Sequence, residues 1–281
     1  MVKPEQQKLF AVIGNPVKHS LSPAMMNAAF KSLDFPAAYL AFCSDDLAED
    51  LDLLHRTGFG GLSVTIPHKE TAYRLAVAVD DTAQAIGAVN TLRREKDGWQ
   101  GCNTDWIGAN RALAGATSLE GKRALVLGAG GAARAVVFGL KKAGGLVTVC
   151  NRSVERGEAL ARTFETGFIP LSRLAETPGD FEVIVQCTSV GLDGSGSSKI
   201  VPDDFFEPGM VVMDTVYRPF WTPFTIAAKK AGCAIVSGLD MLLHQGVAQL
   251  EWWLGLPVPE PTVEVMRDAL KVQAVAGGRN D

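Results

Sequence analysis

Apolar positions along the chain fall into short runs of strand length separated by stretches of helical spacing, the pattern of a parallel sheet joined by crossover helices. Phe10–Gly14 reads as a strand, and Ser22 followed by Pro23 supplies an N-cap and a first-turn proline for a helix through about Leu33. A strand over Ala37–Phe42, a helix over Asp46–Thr57 and a buried strand over Leu62–Ile66 follow. The stretch LSVTIPHK (62–69) then breaks at Pro67, which delivers Thr65 and Lys69 to one loop. Ala88–Glu95, the turn Lys96-Asp97-Gly98 and Trp99–Cys102 read as a hairpin. Near Asp105 and Trp106 the chain leaves this unit, and a helix runs to about Gly115.

A second α/β unit begins at Gly121. Its strand Ala124–Leu127 runs into Gly128-Ala129-Gly130-Gly131-Ala132-Ala133, the helix continues to about Ala143, and Gly144-Gly145 stop it before a strand over Leu146–Cys150. Strands are expected at Val183–Cys187, Val211–Asp214 and Ala234–Val236, with a helix over Thr225–Ala231 between the last two. The helical stretches Met241–Leu254 and Val263–Val275 close the chain, and residues 276–281 read as a flexible tail. The fold class is α/β throughout, with no fixed-period repeat or low-complexity tract. Two such units of unequal character predict a cleft between domains.

Composition narrows the partners. With 281 residues, 47% of them hydrophobic, the chain is long enough for two modest cores. A formal net charge of −4 leaves no basic face, so nucleic acid is excluded and the expected partner is a small molecule held by a few local groups. Five scattered cysteines without CxxC spacing read as reduced core residues of a cytoplasmic protein. The start MVKPEQQKLF has no apolar core of a signal peptide, and no run is long enough to span a membrane. A monomer or homodimer is expected. The histidines have no carboxylate or cysteine at zinc-like spacing, so no metal is expected.

The glycine stretch carries the first chemistry. Gly128-Ala-Gly-Gly-Ala-Ala133 fits G-x-G-x-x-[GA] between a strand and a helix, where the glycines allow a tight turn and close approach of a pyrophosphate to helix amides. The bland alternative is a glycine-rich turn with no ligand. At the end of the next strand an NAD site would place an acid for the adenosine ribose; here the sequence reads Asn151-Arg152-Ser153, with Arg156 one turn later. Two guanidinium groups suit a 2′-phosphate, which favours NADP, unless the arginines merely solvate the start of a helix.

The segments GNPVKHSLSP, SVTIPHK, GAVNT, NTDWIG, GAGGAARA, NRSVER, DTVYRP and SGLDMLLHQG occur in the order found in shikimate dehydrogenases, and on these the chain resembles that family along nearly its whole length. The resemblance implies NADP-linked interconversion of shikimate and 3-dehydroshikimate in a two-domain enzyme. The substrate domain would span 1–105 and be completed by 241–275; the Rossmann-type dinucleotide domain would span 106–240. It implies Lys69 and Asp105 as the catalytic pair, and Ser20, Ser22, Thr65, Asn90, Tyr217 and Gln245 as substrate contacts. On the cofactor side it implies Gly128, Ala129, Gly130, Gly131, Ala132, Asn151, Arg152, Ser153 and Arg156, with Thr188, Val190, Gly238 and Met241 toward the nicotinamide. Each residue also has a plainer reading: Ser22 as N-cap, Asp105 as N-cap of the helix from Trp106, Asn90 as a turn residue, Gln245 on an outer helix face, Met241 as core filler. Asp240, the Arg218-Pro-Phe segment and the Gly/Ser-rich loop Asp193–Ser198 depart slightly from the family's usual wording. A relative that prefers quinate or an amino analogue, and a non-catalytic NADP-binding sensor, stay as alternatives.

Overall fold

The computed structural model describes residues 7–176, 180–192 and 200–277; the Gly/Ser-rich segment 193–198 and the last four residues of the expected tail lie outside the described residues. The chain divides into two compact units, one formed by residues up to 104 together with those from 245 onward, the other by residues 105–244.

The first unit begins with β1 (Lys8–Gly14), α1 (Ser22–Ser32), β2 (Ala37–Cys43), α2 (Leu47–Arg56) and β3 (Phe59–Val64). Next come α3 (Lys69–Leu75), β4 (Ala78–Val79), α4 (Asp81–Ile86), β5 (Thr91–Glu95) and β6 (Gly98–Cys102). Its sheet runs in the order β2-β1-β3-β5-β6-β4. β1 pairs parallel with β2 and β3, whereas β5 is antiparallel to both β3 and β6 and forms the expected hairpin with the latter. Helix α2 starts one residue after Asp46, which caps it: its carboxylate accepts from the amides of Ala48 and Glu49. Ser22 corrects the reading of α1: Leu21 occupies the N-cap position, and Ser22 is already the first helical residue. The hairpin strand likewise starts at Thr91, not Ala88. Helices α3 and α4, both short, fall in a stretch for which no helix was read.

Burial on both faces of β1 and β3 explains their near-continuous apolar runs. Ala11, Ile13, Leu62 and Leu92 pack with Leu47, Leu51, Leu54 and Trp99 on one side. On the other, Phe10 meets Phe30 and Trp253, with ring centroids 5.2 and 5.0 Å apart. A Cβ at Gly61 would stand 2.5 Å from Nε1 of Trp253, so only glycine lets this indole lie on the sheet and donate to the Leu92 carbonyl. Thr262 is tied to Ser32 through their hydroxyls at 3.0 Å. The chain's last segments therefore complete the first unit's core.

The second unit begins with α5 (Asp105–Ala114), β7 (Arg123–Leu127), α6 (Gly131–Lys142), β8 (Leu146–Asn151), α7 (Val154–Phe164) and β9 (Gly167–Pro170). After it come β10 (Val183–Gln186), β11 (Val211–Asp214), α8 (Pro223–Lys230) and β12 (Ala234–Val236). Helix α9 (Gly238–Leu254) runs from this unit into the residues of the first, and α10 (Glu260–Gly277) ends the described chain. Asp105 opens α5 itself instead of capping it. The sheet is entirely parallel, in the order β12-β11-β10-β7-β8-β9. Alternation along its strands splits the apolar residues between two cores: Ala124, Val126, Val183 and Val185 face one, Leu125, Leu127 and Ile184 the other. The sequence pattern gives no sign of β9, and α7 is the helix whose start Arg152 and Arg156 flank.

The cysteines need one correction. Cys102, Cys150 and Cys233 are buried, but Cys43 is exposed. Burial pushes the Cys150 thiol up to about 12, which keeps it an unreactive thiol.

Candidate active site

In the first unit the ends of β1 and β3 lie side by side. The Thr65 amide donates to the Ile13 carbonyl, and the Asn15 amide to that of Ile66, both at 2.9 Å. Beyond β1 the chain turns at Ser20, whose hydroxyl accepts from the Ser22 amide at 3.3 Å; Ser22 is buried. Beyond β3, the loop to α3 is held by His68, whose Nε2 sits 2.9 Å from the Ser44 carbonyl. Lys69 is the first residue of α3 and half-buried, and its carbonyl accepts from the Val89 amide at 2.9 Å. The next residue, Asn90, uses its own carbonyl to accept from Val64 at 2.7 Å. Two main-chain hydrogen bonds thus bring Thr65, Lys69 and Asn90 to one corner.

Asn90 is 1% exposed and is no ordinary turn residue. Its Oδ1 accepts from the Thr104 amide at 2.7 Å and the Thr91 hydroxyl at 2.8 Å, while its Nδ2 donates to Oε1 of Gln245 at 3.2 Å. Gln245 is buried, not on an outer helix face. Behind this pair lies a second glutamine that sequence reasoning missed. Gln249 donates through Nε2 to the Thr91 hydroxyl and the Asn90 carbonyl, and its Oε1 accepts from Ser63, which in turn accepts from Tyr39. A usable signal was present: Gln245 and Gln249 stand four residues apart, hence on one face of a largely apolar helix.

In the second unit the ends of five parallel strands, β7, β8, β10, β11 and β12, carry most of the remaining residues. The Gly128 amide donates to the Cys150 carbonyl at 2.8 Å, which sets the glycine turn beside the Asn151 corner. Gly128 has φ +120°, and a Cβ there would stand 3.2 Å from Cγ2 of Thr188. Gly130 caps α6, and no neighbouring heavy atom among the described residues lies within 4 Å of where its Cβ would stand. Gly131 and Ala132 begin α6, and Ala129 is half-buried. After β8, Nδ2 of Asn151 donates to the Ser153 carbonyl, and the Ser153 hydroxyl caps α7 by accepting from the Arg156 amide at 3.4 Å. Arg152 and Arg156 are both exposed. After β10, buried Gln186 accepts from the Thr188 amide and donates to the Val190 carbonyl, which shapes the 188–190 loop. Gly238 opens α9 against the Asp214 carbonyl, 2.6 Å from where a Cβ would stand. Met241 lies in the unit's core. Tyr217 is half-buried in the loop between β11 and α8, and Asp105 is buried at the start of α5.

Asp214 ends β11 and sets the start of that loop. Its Oδ1 accepts from the Val216 amide at 2.9 Å and its Oδ2 from the Thr222 hydroxyl at 2.6 Å. Desolvation outweighs both hydrogen bonds and pushes the carboxyl up from 3.8 to about 6. A folded-state value above the unfolded one means that stability is fully present below pH 3.8 and declines as pH rises through 6. Asp214→Asn is expected to remove this decline, a change on the order of 3 kcal/mol between the two limits. Thermal melts of both proteins across that range test it; parallel curves of Tm against pH would contradict the assignment.

A free helix N-terminus behind a glycine turn, with open space at Gly130 and no acid at the end of β8, fits a dinucleotide pyrophosphate and a phosphorylated ribose. A parallel sheet whose strands follow the order 3-2-1-4-5-6 around this turn defines the doubly wound, dinucleotide-binding class. Family models match three successive stretches: the shikimate dehydrogenase substrate binding domain over 12–92, shikimate / quinate 5-dehydrogenase over 110–192, and the shikimate 5′-dehydrogenase C-terminal domain over 238–271. A shikimate dehydrogenase (NADP(+)) from Syntrophobacter fumaroxidans is 63% identical over 273 residues, 96% of either chain. The chain belongs to the shikimate dehydrogenase family. Shikimate 5-dehydrogenase from Thermus thermophilus, solved in complex with NADP(H) and shikimate, is 39% identical with a TM-score of 0.85, over 95% of this chain and 100% of that one. Quinate dehydrogenase from Corynebacterium glutamicum, in complex with NAD, shares the fold at 26% identity and a TM-score of 0.83, over 95% and 99% of the two chains.

Proposed function

We propose that this protein is an NADP-dependent shikimate dehydrogenase, which interconverts shikimate and 3-dehydroshikimate in aromatic amino acid (chorismate) biosynthesis. The observation that carries the reading is the corner to which main-chain hydrogen bonds bring Thr65, Lys69 and Asn90, with Gln245 bonded to Asn90: directional polar residues together with one lysine. A cyclic polyol acid needs such donors and acceptors. When bound, NADP supplies the hydride acceptor. Lys69, with Asp105 as its carboxylate partner, takes the proton of the reacting hydroxyl on oxidation and returns it on reduction. The ammonium steadies alkoxide charge on that oxygen.

Thr65, Asn90, Tyr217 and Gln245 address the ring hydroxyls, and Ser20 and Ser22 the carboxylate. The turn from Gly128 to Ala132 cradles the pyrophosphate, while Asn151, Arg152, Ser153 and Arg156 hold the adenosine phosphate. Thr188, Val190, Gly238 and Met241 border the nicotinamide. In this reading residues 1–105, completed by 241–275, form the substrate domain and 106–240 the cofactor domain. The enzyme acts in the cytoplasm as a monomer or homodimer.

The test is formation of reduced nicotinamide, followed by its absorbance, with shikimate or quinate and with NADP or NAD in all four combinations. Shikimate with NADP is expected to give the highest kcat/KM. Quinate turned over as efficiently would overturn the substrate assignment, because a pocket fitted to shikimate's planar acid carbon leaves quinate's additional hydroxyl unpaired, at a cost of about 1–3 kcal/mol. Ser20→Ala and Ser22→Ala should each raise KM for shikimate, by roughly tenfold, with little change in KM for NADP. Normal shikimate KM in both variants would move the carboxylate elsewhere.

A further inference from the structure

The hydrogen bonds behind Asn90 and Gln245 run in one direction, and two main-chain groups fix that direction. A backbone amide can only donate, so the Thr104 amide at 2.7 Å settles which end of the Asn90 side chain is oxygen. A backbone carbonyl can only accept, so the Asn90 carbonyl, 3.2 Å from Gln249, settles which end of that amide is nitrogen. With both amides set, the hydroxyls follow: Tyr39 donates to Ser63, Ser63 to Oε1 of Gln249, Nε2 of Gln249 to Thr91, Thr91 to Oδ1 of Asn90, and Nδ2 of Asn90 to Oε1 of Gln245. Tyr39, Ser63, Gln249, Thr91 and Asn90 are all at most 5% exposed, so water does not compete for these bonds. Chains of this kind polarise one another and hold their members in a single arrangement.

We propose that Thr91 and Gln249 are positioning residues that make Gln245 a hydrogen-bond donor toward substrate. The inference rests on the shikimate dehydrogenase reading and adds a rule of specificity to it. Because Oε1 of Gln245 receives the end of the chain, Nε2 is the donating end of its amide, and a substrate atom that meets it must accept. A hydroxyl or keto oxygen satisfies that rule in both directions of the reaction. An ammonium in the same place, as on an amino analogue, has no lone pair to offer and is rejected.

The experiment compares Thr91→Val, which keeps the shape and removes the hydroxyl, with Thr91→Ser, which restores it, alongside the unmodified enzyme. Thr91→Val is expected to raise KM for shikimate about tenfold. KM for NADP should stay within about twofold, and Thr91→Ser should bring the shikimate KM back to within about twofold of the unmodified value. A purely structural role would lower Tm without that split or that rescue. Gln249→Met, similar in length but apolar, carries the same expectation should Thr91→Val fail to fold. If the unmodified enzyme oxidises shikimate and the variant that folds keeps its shikimate KM, the positioning role is overturned while the functional reading stands. If the unmodified enzyme does not oxidise shikimate, both fall together.

Discussion

Lys69→Ala is expected to lower kcat by about 10²–10⁴-fold, the usual contribution of a single general acid or base. Folding and NADP binding should survive the change. The carbonyl of residue 69, which accepts from the Val89 amide and ties α3 to the strand region, is retained in alanine. A Tm close to that of the unmodified protein separates loss of chemistry from loss of structure. More than about a tenth of the original kcat, within roughly 1.4 kcal/mol of the barrier, would show that another group handles the proton.

Arg152→Asp should reverse the cofactor preference. Arg152 follows β8 at the corner tied to the glycine turn through the Gly128 amide and the Cys150 carbonyl, where an NAD site places an acid. The substitution removes a charge-assisted hydrogen bond worth about 1.5–3 kcal/mol and sets a carboxylate against the 2′-phosphate. It also supplies an acceptor for the ribose hydroxyls of NAD. The ratio of kcat/KM for NADP to that for NAD is expected to fall about a hundredfold. The exposed side chain has little role in folding, so Tm should not move. An unchanged ratio would place phosphate recognition elsewhere, with Arg156 the next residue to replace.

The central strands of the second unit's sheet were legible because they are buried on both faces and bounded by turn residues: Val183–Gln186 and Val211–Asp214 fall where the apolar runs put them. What escaped notice was short or weakly apolar. Helices α3 and α4 have seven and six residues, too few to show a helical period, and α7 buries only Gly157, Leu160 and Ala161 on its inner face. Strand β9 is a four-residue edge strand ending in proline, against the usual signals. At the site, Thr65, Lys69, Asn90 and Gln245 could be named because they sit in recognisable segments. Ser63 and Thr91 lie in two of those same segments, but a buried hydroxyl acquires meaning only from its partner, and the partner of Ser63, Gln249, is 186 positions away.

The order in which the first unit's parts leave the ribosome follows from its composition. Phe10, Gly61 and Leu92 are made early, but Trp253, which lies on them, comes only after residues 105–244 have been synthesised. At about 5–20 residues per second the delay is roughly 7–28 s, and through it the nascent sheet shows an open aromatic face while the later-made unit, continuous in the chain, is free to close. A nascent chain arrested before residue 245 thus lacks the indole that covers Phe10 and Gly61, and the core of the earliest-made part is completed only by the last residues made.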